Sequence, residues 1–518
     1  MDTRVSGRRP VQTAAEAQLA SFKAIRNLMV IFVLLVFLGF PGTLSKVVGS
    51  GVSKILEYLA FGLQFVLVML ATGNDVMSIK LVNLQPAYWL PYLYVVYVVA
   101  DSLLVTNDRK TVVMTLLHLV LTVMFALWLV EQFDMEELMN LFYNAQFLFI
   151  AITLISTVLF SRITFYRYQG SNTFRGLFAT KNECGTQLSF GIIVQLILLR
   201  MKLEKKERIS ILFIVTVAVQ FIFMLLTKNM GALMITFACI GYVIYYSLQN
   251  KNRKKKAKRL PLGILFVVVT VGFLFFALTV LQALEPFLNS LGKDASLTGR
   301  VPIWKQSIAV MQRSHTVTGY GLEMFWKTPS AVRAFKAGFD ENSWAATSAA
   351  STHNMLVETW CNIGLLGLSI YFLMFVVAGS GVKHLKEDQY LFSSCYLVMF
   401  TVRSLTERQS NPSSMYALGA FVVLAMMYQA KYQYRINKRK KARVYVDDGN
   451  QSSLLTERDR DSGSDLAAFQ RRFSNIAEQG AAEKHTSQAP VHRRTRKQEP
   501  KESINKLESL LREFDDQE

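Results

Sequence analysis

Residues 251–281 read KNRKKKAKRL and then PLGILFVVVTVGFLFFALTVL. A dense run of cations is followed at once by a block, 261–281, with no charged side chain. About 20 consecutive apolar residues in a helix cross a hydrocarbon core of about 30 Å, whereas a helix on a soluble core is interrupted by polar residues every turn or two. Blocks of this kind recur near 28–45, 55–72, 86–105, 111–130, 145–161, 186–201, 209–226, 230–247, 361–380, 389–405 and 413–431. The expected fold class is therefore all-α: a polytopic membrane protein of about 12 transmembrane helices, with one long external loop containing short helices.

The charge pattern supplies an orientation. Of 518 residues 52% are hydrophobic, yet the net charge is +20, and the cations cluster between apolar blocks. Lys202, Lys205, Lys206 and Arg208 form one cluster, the run from Lys251 to Arg259 a second, Lys383 and Lys386 a third, and Lys438 through Arg443 a fourth. Such loops stay cytoplasmic and are drawn to anionic membrane lipids. The expected organisation is a cytoplasmic N-terminus (1–27), a bundle of about nine spans (28–281), an external loop (282–360), three further spans (361–431) and a basic, mostly disordered cytoplasmic tail (432–518). Both termini are then cytoplasmic. The first half fits less well: Arg109 and Lys110 fall outside, and the acidic stretch from Glu131 to Glu137 falls inside, which suggests a miscounted or re-entrant span.

Basic clusters placed beside apolar blocks argue against a nucleic-acid partner. Cys184, Cys239, Cys361 and Cys395 have no short-spaced pair, so isolated thiols are expected and no metal cluster, although Cys184 and Cys361 could both approach the outer face. No small-residue cleavage site follows Leu28–Phe40, so that segment is kept as the first span. Asp459-Arg460-Asp461 has the spacing of a sugar-nucleotide transferase motif but stands in the polar tail. Ile504, Leu507, Leu510, Leu511 and Phe514 have helical spacing and could dock on a cytoplasmic partner.

Chemistry is expected in the long loop and the short connections on its side of the membrane, where charge is costly to place. That face carries Arg175, Lys181, Lys228, Arg300, His353 and Glu407. A cationic cluster at an outer leaflet suits an anionic lipid head, above all a diphosphate. Ser351 or Thr352 would cap the helix that continues through Val357, leaving His353 in its first turn, neutral among cations and able to accept a proton. A capping histidine at a membrane interface fits the same spacing. Ile303, Trp304, Ile308 and Met311 share one helical face, opposite Lys305, Gln306 and Gln312, as a helix lying on the membrane or on top of the bundle would require. His118, inside an apolar span, is expected to hydrogen-bond between helices.

The loop residues resemble the pattern of the bacterial O-antigen ligase and O-antigen polymerase superfamily. The resemblance rests on Thr298-Gly299-Arg300 with Ile303-Trp304, on Gly319-Tyr320-Gly321, and on His353-Asn354 with Glu358, Gly364 and Gly367. Arg175-Gly176-Leu177-Phe178-Ala179-Thr180-Lys181-Asn182 before a span adds to it, as does the stretch from Leu225 to Leu233, where Lys228 replaces the usual arginine. The resemblance covers roughly 145–430.

It implies a metal-independent, cofactor-free glycosyltransferase in the bacterial plasma membrane, either a polysaccharide polymerase or a ligase. The donor would be a glycan on undecaprenyl diphosphate, and a glycan, lipid or protein hydroxyl the acceptor, by inverting displacement. His353 and Arg300 would be catalytic, and Arg175, Lys181 and Lys228 would bind the diphosphate. Asn354, Glu358, Trp304 and Tyr320 would support them. The rival readings are a transporter or flippase for lipid-linked sugars, which calls for duplicated halves and mid-membrane polar residues, and a non-catalytic scaffold of a polysaccharide-assembly complex.

Overall fold

The computed structural model describes residues 14–39, 49–71, 78–79, 86–168, 171–178, 180–251, 262–279, 299–341, 343–408 and 411–447. The basic run 252–260, loop residues 280–298 with Thr298, Asp459-Arg460-Asp461 and the helix expected near Ile504 lie outside the described residues. A first compact unit spans Met1–Lys438; a second, Arg439–Glu518, is described only to Asp447.

Twelve long helices stand at the twelve expected places. They are α1 (Ala14–Phe37), α2 (Ser50–Met69), α3 (Trp89–Val105), α4 (Arg109–Gln132), α5 (Met135–Leu159), α7 (Lys181–Glu204), α8 (Ile211–Leu226), α9 (Met230–Lys251), α10 (Leu262–Leu278), α14 (Met355–Gly379), α15 (Glu387–Thr406) and α16 (Met415–Asp447). Among the described residues the short helices α6 (Ser161–Thr164), α11 (Arg300–Arg313), α12 (Pro329–Lys336) and α13 (Trp344–Ser348) are added to these. Eight helices are long and apolar enough to cross a membrane by length and composition; α8 and α10 contribute shorter apolar segments. Among the described residues sheet is limited to two small antiparallel ladders, β1 (Leu70–Ala71) with β2 (Ser78–Ile79) and β3 (Phe165–Tyr168) with β4 (Ser171–Phe174). The chain is an all-α polytopic membrane protein.

Helix ends depart from the apolar blocks where capping chemistry extends or stops them. Helix α5 starts at Met135 rather than 145, because Asp134 and Glu137 form a capping box and Glu136 joins Glu137 in a first turn that favours acids. Helix α14 starts at Met355 rather than 361, and α1 ends at Phe37 rather than reaching 45. None of the five helices expected before residue 161 is missing. Glu136 ion-pairs with Lys205, so the acidic stretch meets the cations of the 202–208 turn at one end of the bundle.

Helix α7 is the most buried of the membrane-crossing candidates and packs against α5, α8, α9 and α15. Its small residues let neighbours close in: a Cβ on Gly185 would lie 2.9 Å from Asn229 Nδ2, and one on Gly191 would lie 2.7 Å from the Gln146 side chain. The Ser189 hydroxyl reaches Ala232 O (3.1 Å) and is met by the Thr236 hydroxyl (2.9 Å), a polar contact of the kind that joins helices in lipid. All four cysteines are buried and unbridged, so Cys184 and Cys361 form no disulfide. His118 bonds within its own helix, Nδ1 to Met114 O at 2.8 Å, with its ring against Phe61, and not between helices by hydrogen bond as expected.

The long loop has a core of its own. Val301, Ile303, Trp304, Val310 and Met311 of α11 are buried together with Phe325, Phe335, Val357 and Cys361, while Lys305 and Gln312 are exposed. Helix α11 therefore packs on α14 and α10, on top of the bundle.

Helix α14 is broken at Gly364 (φ 67°, ψ −178°), and residues 316–321 fill the break. Tyr320 N–H donates to Cys361 O (3.0 Å), Gly321 N–H to Asn362 O (2.8 Å) and the Tyr97 hydroxyl to Ile363 O (3.1 Å). Across the break, Leu365 N–H donates to Thr316 O (3.0 Å) and Leu366 N–H to Val317 O (3.2 Å). A helix in hydrocarbon tolerates such an interruption only where the freed backbone groups find partners. Glycine is required on both sides: a Cβ on Gly364 would lie 1.9 Å from Val317 O, and one on Gly319 (φ 74°) would lie 2.6 Å from the Asn362 backbone.

Candidate functional site

Residues 316–321 thus form a strap across the break in α14, while α11, through Trp304, and α14, through Glu358, hold the segment 351–354. Thr352 is held through each of its polar groups. Its N–H donates to Glu358 Oε2 (2.7 Å), its carbonyl accepts from Trp304 Nε1 (2.7 Å), and its hydroxyl donates to Asn354 O (2.9 Å). The helix cap is Asn354, not Ser351 or Thr352: its Oδ1 accepts from Leu356 N (3.0 Å) and Val357 N (3.1 Å), and its Nδ2 donates to Leu405 O of α15 (3.2 Å). His353 thus precedes the cap instead of sitting in the first turn. Its backbone is left-handed (φ 51°), a strained choice for a residue with a Cβ and one often met at functional sites.

This backbone aims the imidazole at Glu407, just past the end of α15. His353 Nδ1 lies 3.3 Å from Glu407 Oε2, and Arg300 Nη2, at the start of α11, lies 3.3 Å from Oε1. Asn182 Nδ2 donates to the same Oε1 (3.0 Å). The Asn182 carbonyl accepts in turn from Arg403 Nη2 and from Asn229 Nδ2, each at 3.3 Å. Three distant pieces of chain, at Asn182, Arg300 and His353, therefore meet on one carboxylate. Burial pushes the Glu407 pKa up, but the hydrogen bond with His353 and the guanidinium groups of Arg403 and Arg300 outweigh it and hold the carboxyl below its ordinary range.

The other residues singled out in the sequence take distinct places. Lys181 opens α7 next to Asn182, and Lys228, exposed and left-handed (φ 52°), closes α8 next to Asn229. Both cations therefore flank the network through their neighbours. Arg175 stands in the hairpin region, where Nε donates to Ile163 O (3.2 Å) and its guanidinium covers the Tyr166 ring at 5.1 Å.

Glu358, 1% exposed, does not touch the imidazole; it clamps Thr352 and accepts from Trp326 Nε1 (3.0 Å). Trp304 is fully buried beneath Thr352. Tyr320 belongs to the strap, with its hydroxyl 2.8 Å from Ser314 Oγ and its ring against His315. The sequence reading placed Glu407 on this face without a role, carried Asn182 and Asn229 within its motifs without a role, and overlooked Arg403. The available signals were two asparagines, each directly following a singled-out lysine, and an Arg403/Glu407 pair one helical turn apart.

The fold and this cluster define a class: a multi-helix membrane protein with a cation-rich polar site at one end of its bundle. Residues 215–372 match the sequence profile of a family described as O-antigen ligase. Exopolysaccharide production protein ExoQ of Rhizobium meliloti (strain 1021) is 26% identical over 251 residues, 46% of this chain and 54% of that protein. The chain thus spans about half the length of that curated relative. Both findings bear out the resemblance to the O-antigen ligase superfamily.

Proposed function

We propose that the chain is a glycosyltransferase of surface-polysaccharide assembly, a polymerase or an O-antigen-ligase-like enzyme. It acts on glycan carried by undecaprenyl diphosphate at the outer face of a bacterial plasma membrane. The acceptor hydroxyl oxygen bonds to the donor's anomeric carbon, the bond from that carbon to the diphosphate oxygen breaks, and the lipid diphosphate leaves with the electron pair. The hydroxyl proton passes to His353 Nε2, while Glu407, accepting from Nδ1–H, fixes the tautomer that leaves Nε2 unprotonated. Arg300 stabilises charge growing on the leaving diphosphate, with Lys181, Lys228 and Arg175 as further binders of that anion. Asn354, Glu358 and Trp304 hold the loop that carries the imidazole, and Tyr320 supports it from the strap across α14.

The observation that carries this reading is the convergence of Arg300 and His353 on Glu407. Deleting a positioned base or a charge-stabilising donor costs on the order of 10²–10⁴ in rate. His353→Ala and Arg300→Ala are each expected to yield folded, membrane-inserted protein that accumulates unprocessed lipid-linked glycan, read by lipid extraction and glycan profiling. Wild-type product from either variant removes that residue's role.

A further inference from the structure

A second polar pocket lies at the end of the bundle opposite the Glu407 cluster, where α7 ends and α8 begins. Its volume is about 160 Å³, and it is lined by Asn140, Tyr143, Asn144, Lys202, Arg208 and Phe213, together with Leu198 and Ser210. Asn140 and Asn144 stand one turn apart on α5, about 8 and 14 Å along the helix from Met135, so they share a face at the depth of a membrane interface. Across from them are Lys202, which Glu207 partners at 3.3 Å, and the exposed Arg208. Among the described residues the side chains of Asn140, Asn144 and Arg208 make no hydrogen bond or ion pair, so two amides and a guanidinium remain available at one opening. Below them the floor is apolar: the Tyr143 and Phe213 rings pack at 5.3 Å beside Leu198.

We propose that this pocket binds the phosphate of an anionic phospholipid. Arg208 and Lys202 would take phosphate oxygens and the two asparagine amides the remaining oxygens, while the first carbons of the acyl chains lie on Tyr143, Phe213 and Leu198. A polar, cationic rim over an aromatic floor, between helices at an interface, is the arrangement that distinguishes a lipid headgroup from a free ion. Glu207 on the rim adds a negative charge beside Lys202 and makes Arg208 the dominant cation.

The test uses the full chain in a mild detergent, with bound lipid counted by native mass spectrometry during titration with phosphatidylglycerol, phosphatidylcholine or inorganic phosphate. Saturable retention of one phosphatidylglycerol is expected, with binding weakened about tenfold by Arg208→Ala or Asn144→Asp and retained by Arg208→Lys and Asn144→Gln. These positions are exposed, so unchanged size-exclusion profiles exclude misfolding as the cause. Equal retention by wild type and Arg208→Ala overturns the site. Equal retention of phosphatidylcholine overturns the reading of charge, and displacement by millimolar inorganic phosphate overturns the lipid as its source.

Discussion

At Glu407 a single carboxylate meets an imidazole, a guanidinium and an amide within 3.3 Å. Because its folded-state pKa is depressed, the ionised carboxylate contributes stability that is fully present above the ordinary glutamate value, roughly 4.3, and is lost as pH falls through the lower folded value. His353, Arg300 and the Asn182 amide bond to it, and Arg403 favours the charged form through its charge. Melting temperature in detergent is therefore expected to hold from neutral pH down to about 5 and then fall, and Glu407→Gln should flatten that acid limb. In the same variant Asn182 keeps a carbonyl acceptor, but Nδ1–H of His353 faces a neutral amide. Glycan transfer should drop by about 10² or more while the protein stays folded. An unchanged acid limb together with full activity would remove Glu407 from the site. Sequence made His353 and Arg300 legible through their motif spacing. It could not assign Glu407, because a carboxylate's partners come from residues 54 to 225 positions away.

The same limit appears one scale up, in the elements. Apolar length located each long helix but misjudged ends built from polar caps: Glu136, Asn140 and Asn144 made the first turns of α5 look non-membrane, although a capping box starts the helix there. The broken helix was visible only as Gly364 and Gly367. Its physical content, a strap returning four hydrogen bonds to the interrupted backbone with a fifth from Tyr97 of α3, needs the three-dimensional return of residues 316–321. Gly364→Ala would combine a left-handed backbone with a Cβ driven into Val317 O, at a cost of about 3 kcal/mol or more. A large fall in thermal midpoint and loss of activity are expected, because the strap and the His353 segment share α14. Gly62→Ala in α2, where a Cβ would meet nothing within 4 Å, is the control and should be neutral or slightly stabilising. Similar melting of the two variants would mean that the strap does not depend on glycine at the break.

For the whole molecule, helix direction sorts charge into two ends. The Glu407 cluster occupies one; Arg200, bound to Glu204, Glu387 and Asp388, and Lys205, bound to Glu136, occupy the other. Positive loops between apolar blocks made this polarity legible in the sequence, since the positive-inside bias is written in composition and needs no contacts. If the cations at 202–208 lie in the cytoplasm, as that bias implies, the Glu407 end faces outward, and the proposed chemistry requires that end to face the lipid-linked donor. Single cysteines can test this directly, because the four native thiols are buried and should label poorly. Arg313 and Lys206 are both exposed, the first at the end of α11 and the second in the turn after α7. Arg313→Cys should react with a membrane-impermeant maleimide in intact cells, and Lys206→Cys only after permeabilisation. The reverse pattern would turn the His353–Glu407–Arg300 cluster toward the cytoplasm, away from any donor in the outer leaflet. Labelling at both positions in intact cells would favour a pathway open to each side, as a transporter of lipid-linked sugars requires, over a transferase with its site on one face.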